Sequence, residues 1–172
     1  MGGEVGNDAG DYERVYRLLR EGAYEDAIDE IMKRSTGRVR SPYSMDLNHA
    51  WYVLGNLYYE SGDYASALES FKKAYRHRPS DAEAMWAIAN CYSEIGKPRW
   101  SVYYLKKAIS VTGGGNELHY NLGNALFDMG DYSAAIREYK KVDSRSGVIY
   151  DMAQNNIGLA RRMCHKDKKN PS

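Results

Sequence analysis

The sequence predicts an all-α fold of antiparallel helical hairpins stacked in a repeat array. Three observations lead to it. Gly62, Gly96 and Gly130 stand 34 residues apart each time (96 − 62 and 130 − 96). Around each glycine one pattern recurs: WYVLGNLYYESGDYASALESFKKAYRHRP from Trp51, MWAIANCYSEIGKPRWSVYYLKKAI from Met85, and HYNLGNALFDMGDYSAAIREYKKV from His119. Within each copy the apolar residues keep the three-and-four spacing of a helix face. A fixed period of this length marks units that complete a core only by leaning on their neighbours.

The elements follow in order. Gly22, Tyr24, Ala27 and Ile31 match Gly62, Tyr64, Ala67 and Phe71 at an offset of 40 (62 − 22), so a degenerate first unit occupies about 8–47. Its extra residues fall in STGRVRSPYSM, from Ser35 to Met45, a basic stretch with a proline that predicts a longer surface loop. The unit 48–81 is the fullest. Trp51, Leu54, Gly55 and Tyr58 form one helix face, and Gly55 lets a second helix approach closely. Gly62-Asp63 ends the first helix and caps the next. Ala67, Phe71 and Ala74 are the stripe of the second helix, and Pro79 closes the unit.

The unit 82–115 has Ser101 in the small-residue slot and closes without proline, at Thr112-Gly113-Gly114-Gly115. With no lysine after the glycines and no strand before them, this is an interhelix turn rather than a phosphate loop. The unit 116–149 ends at Gly147. Asn155-Asn156-Ile157-Gly158 echoes Tyr120-Asn121-Leu122-Gly123, and 150–164 reads as a capping helix over the last apolar face.

Composition narrows the function. The 172 residues suit one elongated domain over 11–164, preceded by a Gly-rich acidic leader at 1–10, expected to be disordered, and followed by a basic tail at 165–172. A net charge of +1 without a basic stripe argues against nucleic acid. No signal peptide or membrane-spanning stretch is visible, and Cys91 and Cys164 are isolated, so a cytoplasmic, intracellular protein is expected. His49, His77, His119 and His165 share no metal-ligand spacing, and no nucleophile motif appears. Neither a cofactor nor an enzyme activity is expected.

Counting Asn48 as position 1, Trp51, Leu54, Gly55, Tyr58, Gly62, Tyr64, Ala67, Phe71, Ala74 and Pro79 all stand where the tetratricopeptide repeat (TPR) motif places them. The chain resembles that family over roughly 8–164. The resemblance implies a helix-turn-helix solenoid wound as a right-handed superhelix, with a C-terminal capping helix. It also implies protein or peptide binding on a concave groove lined by the first helices, at positions 5, 9, 12 and 13 of each unit. Position 5 is Tyr12, Tyr52, Trp86 and Tyr120; position 9 includes Asn56, Asn90 and Asn124. Position 12 includes Tyr59 and Phe127, and position 13 includes Glu60, Glu94 and Asp128.

An asparagine amide can pair with any peptide backbone, aromatics offer rigid contact area, and the acidic row favours lysine or arginine. The expected ligand is a peptide with apolar anchors and basic residues. A framework reading stays open, because tyrosine at 5 and 12 and asparagine at 9 are common in TPR units. The carboxylate clamp of chaperone-binding members needs Lys and Arg at positions 2, 5 and 6. Here those positions hold His49, Tyr52 and Val53; Glu83, Trp86 and Ala87; and Glu117, Tyr120 and Asn121, which disfavours it.

A second candidate interface lies on the opposite side. Position 19 is Asp26, Ser66, Trp100 and Ala134, and position 22 is Asp29, Glu69, Tyr103 and Arg137. Only one unit places aromatics there. They either form an exposed patch or fold over Pro98 or a neighbouring helix. The functional expectation is a peptide-binding interaction module or scaffold. The alternatives are a self-associating scaffold, a homo-oligomer joined through the Trp100/Tyr103 face or an end, and a small co-chaperone-like protein that shields an export substrate.

Overall fold

The computed structural model describes residues 11–169; the leader at 1–10 and the last three residues of the basic tail lie outside them. The chain divides into two compact units, one up to Pro79 and one from Ser80 onward.

The first unit holds helices α1 (Glu13–Arg20), α2 (Tyr24–Ile31), α3 (Leu47–Glu60) and α4 (Tyr64–His77). Each packs on the next: α1 on α2, α2 on α3, α3 on α4. Val15, Ala27, Ile28, Ile31, Trp51, Leu54 and Phe71 are buried here. The stretch expected as a longer surface loop, Ser35 to Met45, supplies the second strand of a short hairpin that begins just before it. Met32–Lys33 (β1) pairs antiparallel with Arg38–Val39 (β2), in the register Met32 to Val39 and Lys33 to Arg38. Its turn closes when the Gly37 amide donates to the Lys33 carbonyl at 2.9 Å. Three residues after the hairpin, Tyr43–Met45 make a 3-10 turn that buries Tyr43.

The second unit holds α5 (Ala82–Glu94), α6 (Pro98–Thr112), α7 (Asn116–Asp128), α8 (Tyr132–Tyr139) and α9 (Val148–Lys169). Packing again runs in chain order, and α9 also touches α7. One core joins Ala89, Leu105, Leu122, Ala135, Tyr139, Ala153 and Ile157. The capping helix expected over 150–164 starts at Val148 and continues to Lys169. It buries Ala153, Ile157 and Ala160 at spacings of four and three.

Local chemistry explains the repeated breaks. Gly62, Gly96 and Gly130 take φ of +82°, +68° and +79°, a left-handed turn that ends each first helix. The next residue is Asp63 or Asp131 in two copies, and its carboxylate accepts the amide of Ser66 at 3.0 Å or Ala134 at 2.9 Å. The remaining copy has Lys97, which caps nothing through its side chain; Pro98 begins α6 instead.

The hairpins close on small residues. A Cβ on Gly55 would lie 2.5 Å from the Phe71 ring, and one on Gly123 would collide with the Tyr139 ring. In the copy between, Ala89 and Leu105 fill the corresponding positions, both buried. Where the small residue gains a methyl, its partner loses an aromatic ring.

Candidate peptide-binding surfaces

The ladder residues at positions 5, 9, 12 and 13 do not share one environment. In the first unit Tyr12 is in the core, 4% exposed. Its ring meets Tyr43 edge-on at 4.9 Å and His49 at 4.7 Å. The expectation that Tyr12 lines a groove is therefore corrected: the inserted segment brings Tyr43 over it, so it offers a ligand almost no surface. Tyr52 and Tyr59 are half-buried, each held edge-on by the second helix of its own hairpin, Tyr52 by Phe71 at 5.4 Å and Tyr59 by Tyr64 at 5.2 Å. Asn56 is half-buried and Glu60 exposed.

In the second unit Trp86 packs part of its ring against the core, and its indole Nε1 is buried without an acceptor among the described residues. It borders an apolar cleft of about 220 Å³ with Ala82, Glu83, Thr112, Glu117 and Leu118. Asn90 is half-buried and Glu94 exposed. No hydrogen bond from the side-chain amide of Asn56 or Asn90 is made within the described residues.

The four residues of the third copy converge. Tyr120, Asn124, Phe127 and Asp128 line one cleft of about 380 Å³, together with Tyr139, Asn156 and Leu159. Asn124 is fixed there. Its Oδ1 accepts from the Tyr139 hydroxyl at 2.8 Å and from Asn156 Nδ2 at 3.0 Å. Burial pushes the Tyr139 phenol well above its ordinary range, so at neutral pH it stays a donor. Phe127 rests edge-on against Tyr132 at 5.0 Å. Asp128, at the end of α7, has its carboxyl raised above the ordinary value by partial burial.

Sequence reasoning missed Tyr139, Asn156 and Leu159. The signal was present: Gly158 echoes Gly123, so Leu159 occupies the same step of α9 that Asn124 occupies in α7. Trp100 and Tyr103 are 53% and 49% exposed. Trp100 stacks on Tyr92 at 5.9 Å, and Tyr103 stands edge-on to it at 6.0 Å. Among the described residues no group of three His, Cys, Asp or Glu side chains could hold a metal ion, and no helix is long and apolar enough to cross a membrane.

Residues 49–81 and 116–142 match the tetratricopeptide repeat family model. The chain carries tetratricopeptide repeats. The stretch between these matches holds the full copy that departs most from the pattern, with Lys97-Pro98 after Gly96 in place of the Asp-Tyr pair and Ser101 in the alanine slot, yet it folds into the hairpin α5–α6. The TPR repeat-containing protein YpiA of Bacillus subtilis is 31% identical over 115 residues, 64% of this chain and 26% of that protein. The chain thus spans about a quarter of the length of this relative. MamA superposes with a TM-score of 0.66 at 19% identity, over 94% of both chains. The first TPR of Spaghetti (RPAP3), bound to the HSP90 peptide SRMEEVD, superposes with a TM-score of 0.64 at 17% identity, over 69% of this chain and 93% of that one. At these identities the likeness is one of fold.

Proposed function

We propose that this TPR protein is an interaction module whose second unit seats a peptide segment of a partner across α7 and α9. The observation that carries this is the cleft where Tyr120, Asn124, Phe127 and Asp128 meet Asn156 and Leu159. Phe127 and Leu159 offer apolar contact, and the Nδ2 group of Asn124 donates to no protein acceptor among the described residues. Asp128 stands at the rim. A peptide with an apolar anchor and an adjacent lysine or arginine fits that chemistry.

Trp86, Asn90 and Glu94 extend the same kind of surface along α5. In the first unit Tyr52, Asn56, Tyr59 and Glu60 present a surface of like composition. Among solved folds of this kind, one holds an acidic peptide ending in Glu-Val-Asp. The present surface is unsuited to such a ligand. Glu83 and Glu117 stand where a carboxylate would need cations, and Asp128 adds a further negative charge, so the preferred partner is basic rather than acidic.

The test is a peptide array probed with the full chain, followed by titration of the best binder. Apolar peptides with lysine or arginine should dominate. Asn90→Ala and Asn124→Ala should each weaken binding while circular dichroism stays unchanged. Wild-type affinity in both variants would remove the groove reading.

A further inference from the structure

We propose that the outward face of α6 is a second docking surface, and that it takes an acidic segment carrying one aromatic or long aliphatic side chain. Three observations meet there. The first is exposure. Trp100 and Tyr103 keep about half their surface in solvent, and the corresponding positions of the other units are Asp26, Ser66 and Ala134, and Asp29, Glu69 and Arg137. No structural need of the repeat calls for aromatics at these sites, and exposed apolar patches rimmed by polar residues mark interfaces.

The second is shape. Trp100 lies beside Met129, itself 41% exposed, around a cleft of about 500 Å³ completed by Gly96, Lys97, Pro98 and Arg99. The Tyr92 ring behind Trp100 and the Tyr104 ring behind Tyr103 hold both aromatics in place. An incoming side chain would meet a rigid wall and pay little to order it.

The third is charge, and it selects the occupant. Helix α6 carries Arg99, Lys106 and Lys107 and no carboxylate. Lys97 precedes it. The cleft's charged lining is Lys97 and Arg99 alone. Among the described residues no carboxylate forms an ion pair with Lys97, Arg99 or Lys106. Arg99, Tyr103 and Lys106 follow at four and three, and Trp100, Tyr103 and Lys107 at three and four, so cations flank the aromatics on one helical face. Lys107 Nζ already sits 5.6 Å from the centre of the Tyr103 ring. This charge is opposite to that of the α7 cleft, so the two surfaces select different ligands.

The test uses fluorescence anisotropy with the full chain and a labelled peptide of glutamates around one central tryptophan. Two control peptides replace the glutamates by glutamine or the tryptophan by alanine. Each control should bind at least about tenfold more weakly. W100A and the double variant K97E/R99E should each lose about tenfold, with helical content unchanged, and added salt should weaken the wild-type complex. N90A should bind this peptide as wild type does. Equal affinity for the glutamine peptide, or wild-type binding by K97E/R99E, overturns the proposal. So does loss of binding in N90A, which would place the peptide on the other face. A dimer in sedimentation equilibrium that W100A dissolves would give the surface to a second copy of the chain and also overturn it.

Discussion

The Phe71 ring occupies the space that a side chain on Gly55 would need, with three ring atoms within 2.8 Å of where its Cβ would stand. Phe71 is buried, so the ring cannot swing aside. Gly55→Ala should therefore destabilise the first unit by about 1–3 kcal/mol, even though alanine is the better helix former. Adding Phe71→Leu should recover part of that loss, since Ala89 and Leu105 already make this exchange in the second unit. Urea denaturation of the two single variants and the double variant checks it. A stabilising Gly55→Ala, or additive single effects, would show that the contact is soft.

Trp51 on α3 is buried, and Lys73 Nζ of α4 lies 3.8 Å from its ring centre. Its burial predicts a loss of about 3–5 kcal/mol for Trp51→Ala. Lys73→Ala should cost far less, because the ammonium contact lies at the solvent edge. Thermal unfolding of both variants separates the two terms.

Burial pushes the Cys91 thiol up to about 12, and the residue has no exposed surface. Cys164 is partly exposed. A thiol reagent at pH 8 should label one cysteine in the native protein and two in denaturant. Fast native labelling of both would mean that α5 opens readily.

Asp128 gives the proposed groove a pH signature. Its carboxyl is raised by burial, so the native state holds that proton more tightly than the unfolded chain does. Its ionisation accordingly opposes stability above the ordinary carboxylate range, and that penalty vanishes as pH falls through the raised value. Binding of a basic peptide should run the other way, weakening as pH falls through the same window. Asp128→Asn should abolish this pH dependence, lower the affinity for the basic peptide, and leave the fold intact. Calorimetric titrations between pH 4 and 7 (a range chosen to bracket carboxylate ionisation) would expose a contrary result.

Much of this was legible in the residues. The 34-residue spacing of Gly62, Gly96 and Gly130 places three left-handed turns, and Asp63 and Asp131 cap the helices that follow. These are local rules, and local rules can be read from neighbours in sequence. Tyr12 failed because its surroundings are set by Tyr43, which an irregular insertion brings over it. The small hairpin at Met32–Val39 was missed because two-residue strands leave no alternation to detect. The cleft at α7 was half legible: Tyr120, Asn124, Phe127 and Asp128 follow from the period, whereas Asn156 reaches it across 32 residues. The half-exposed state of Trp100 rests on the tertiary packing of Tyr92, which spacing does not record.

The bond from Asn156 to Asn124 ties α9 to α7 through a side chain that also meets the Tyr139 hydroxyl. The terminal helix therefore does more than shelter apolar surface from water. It acts as a brace, setting the orientation of an amide before any guest arrives. Shortening the protein ahead of residue 156 would leave that amide to swivel, and recognition would become slower and less discriminating even where the remaining hairpins stay folded.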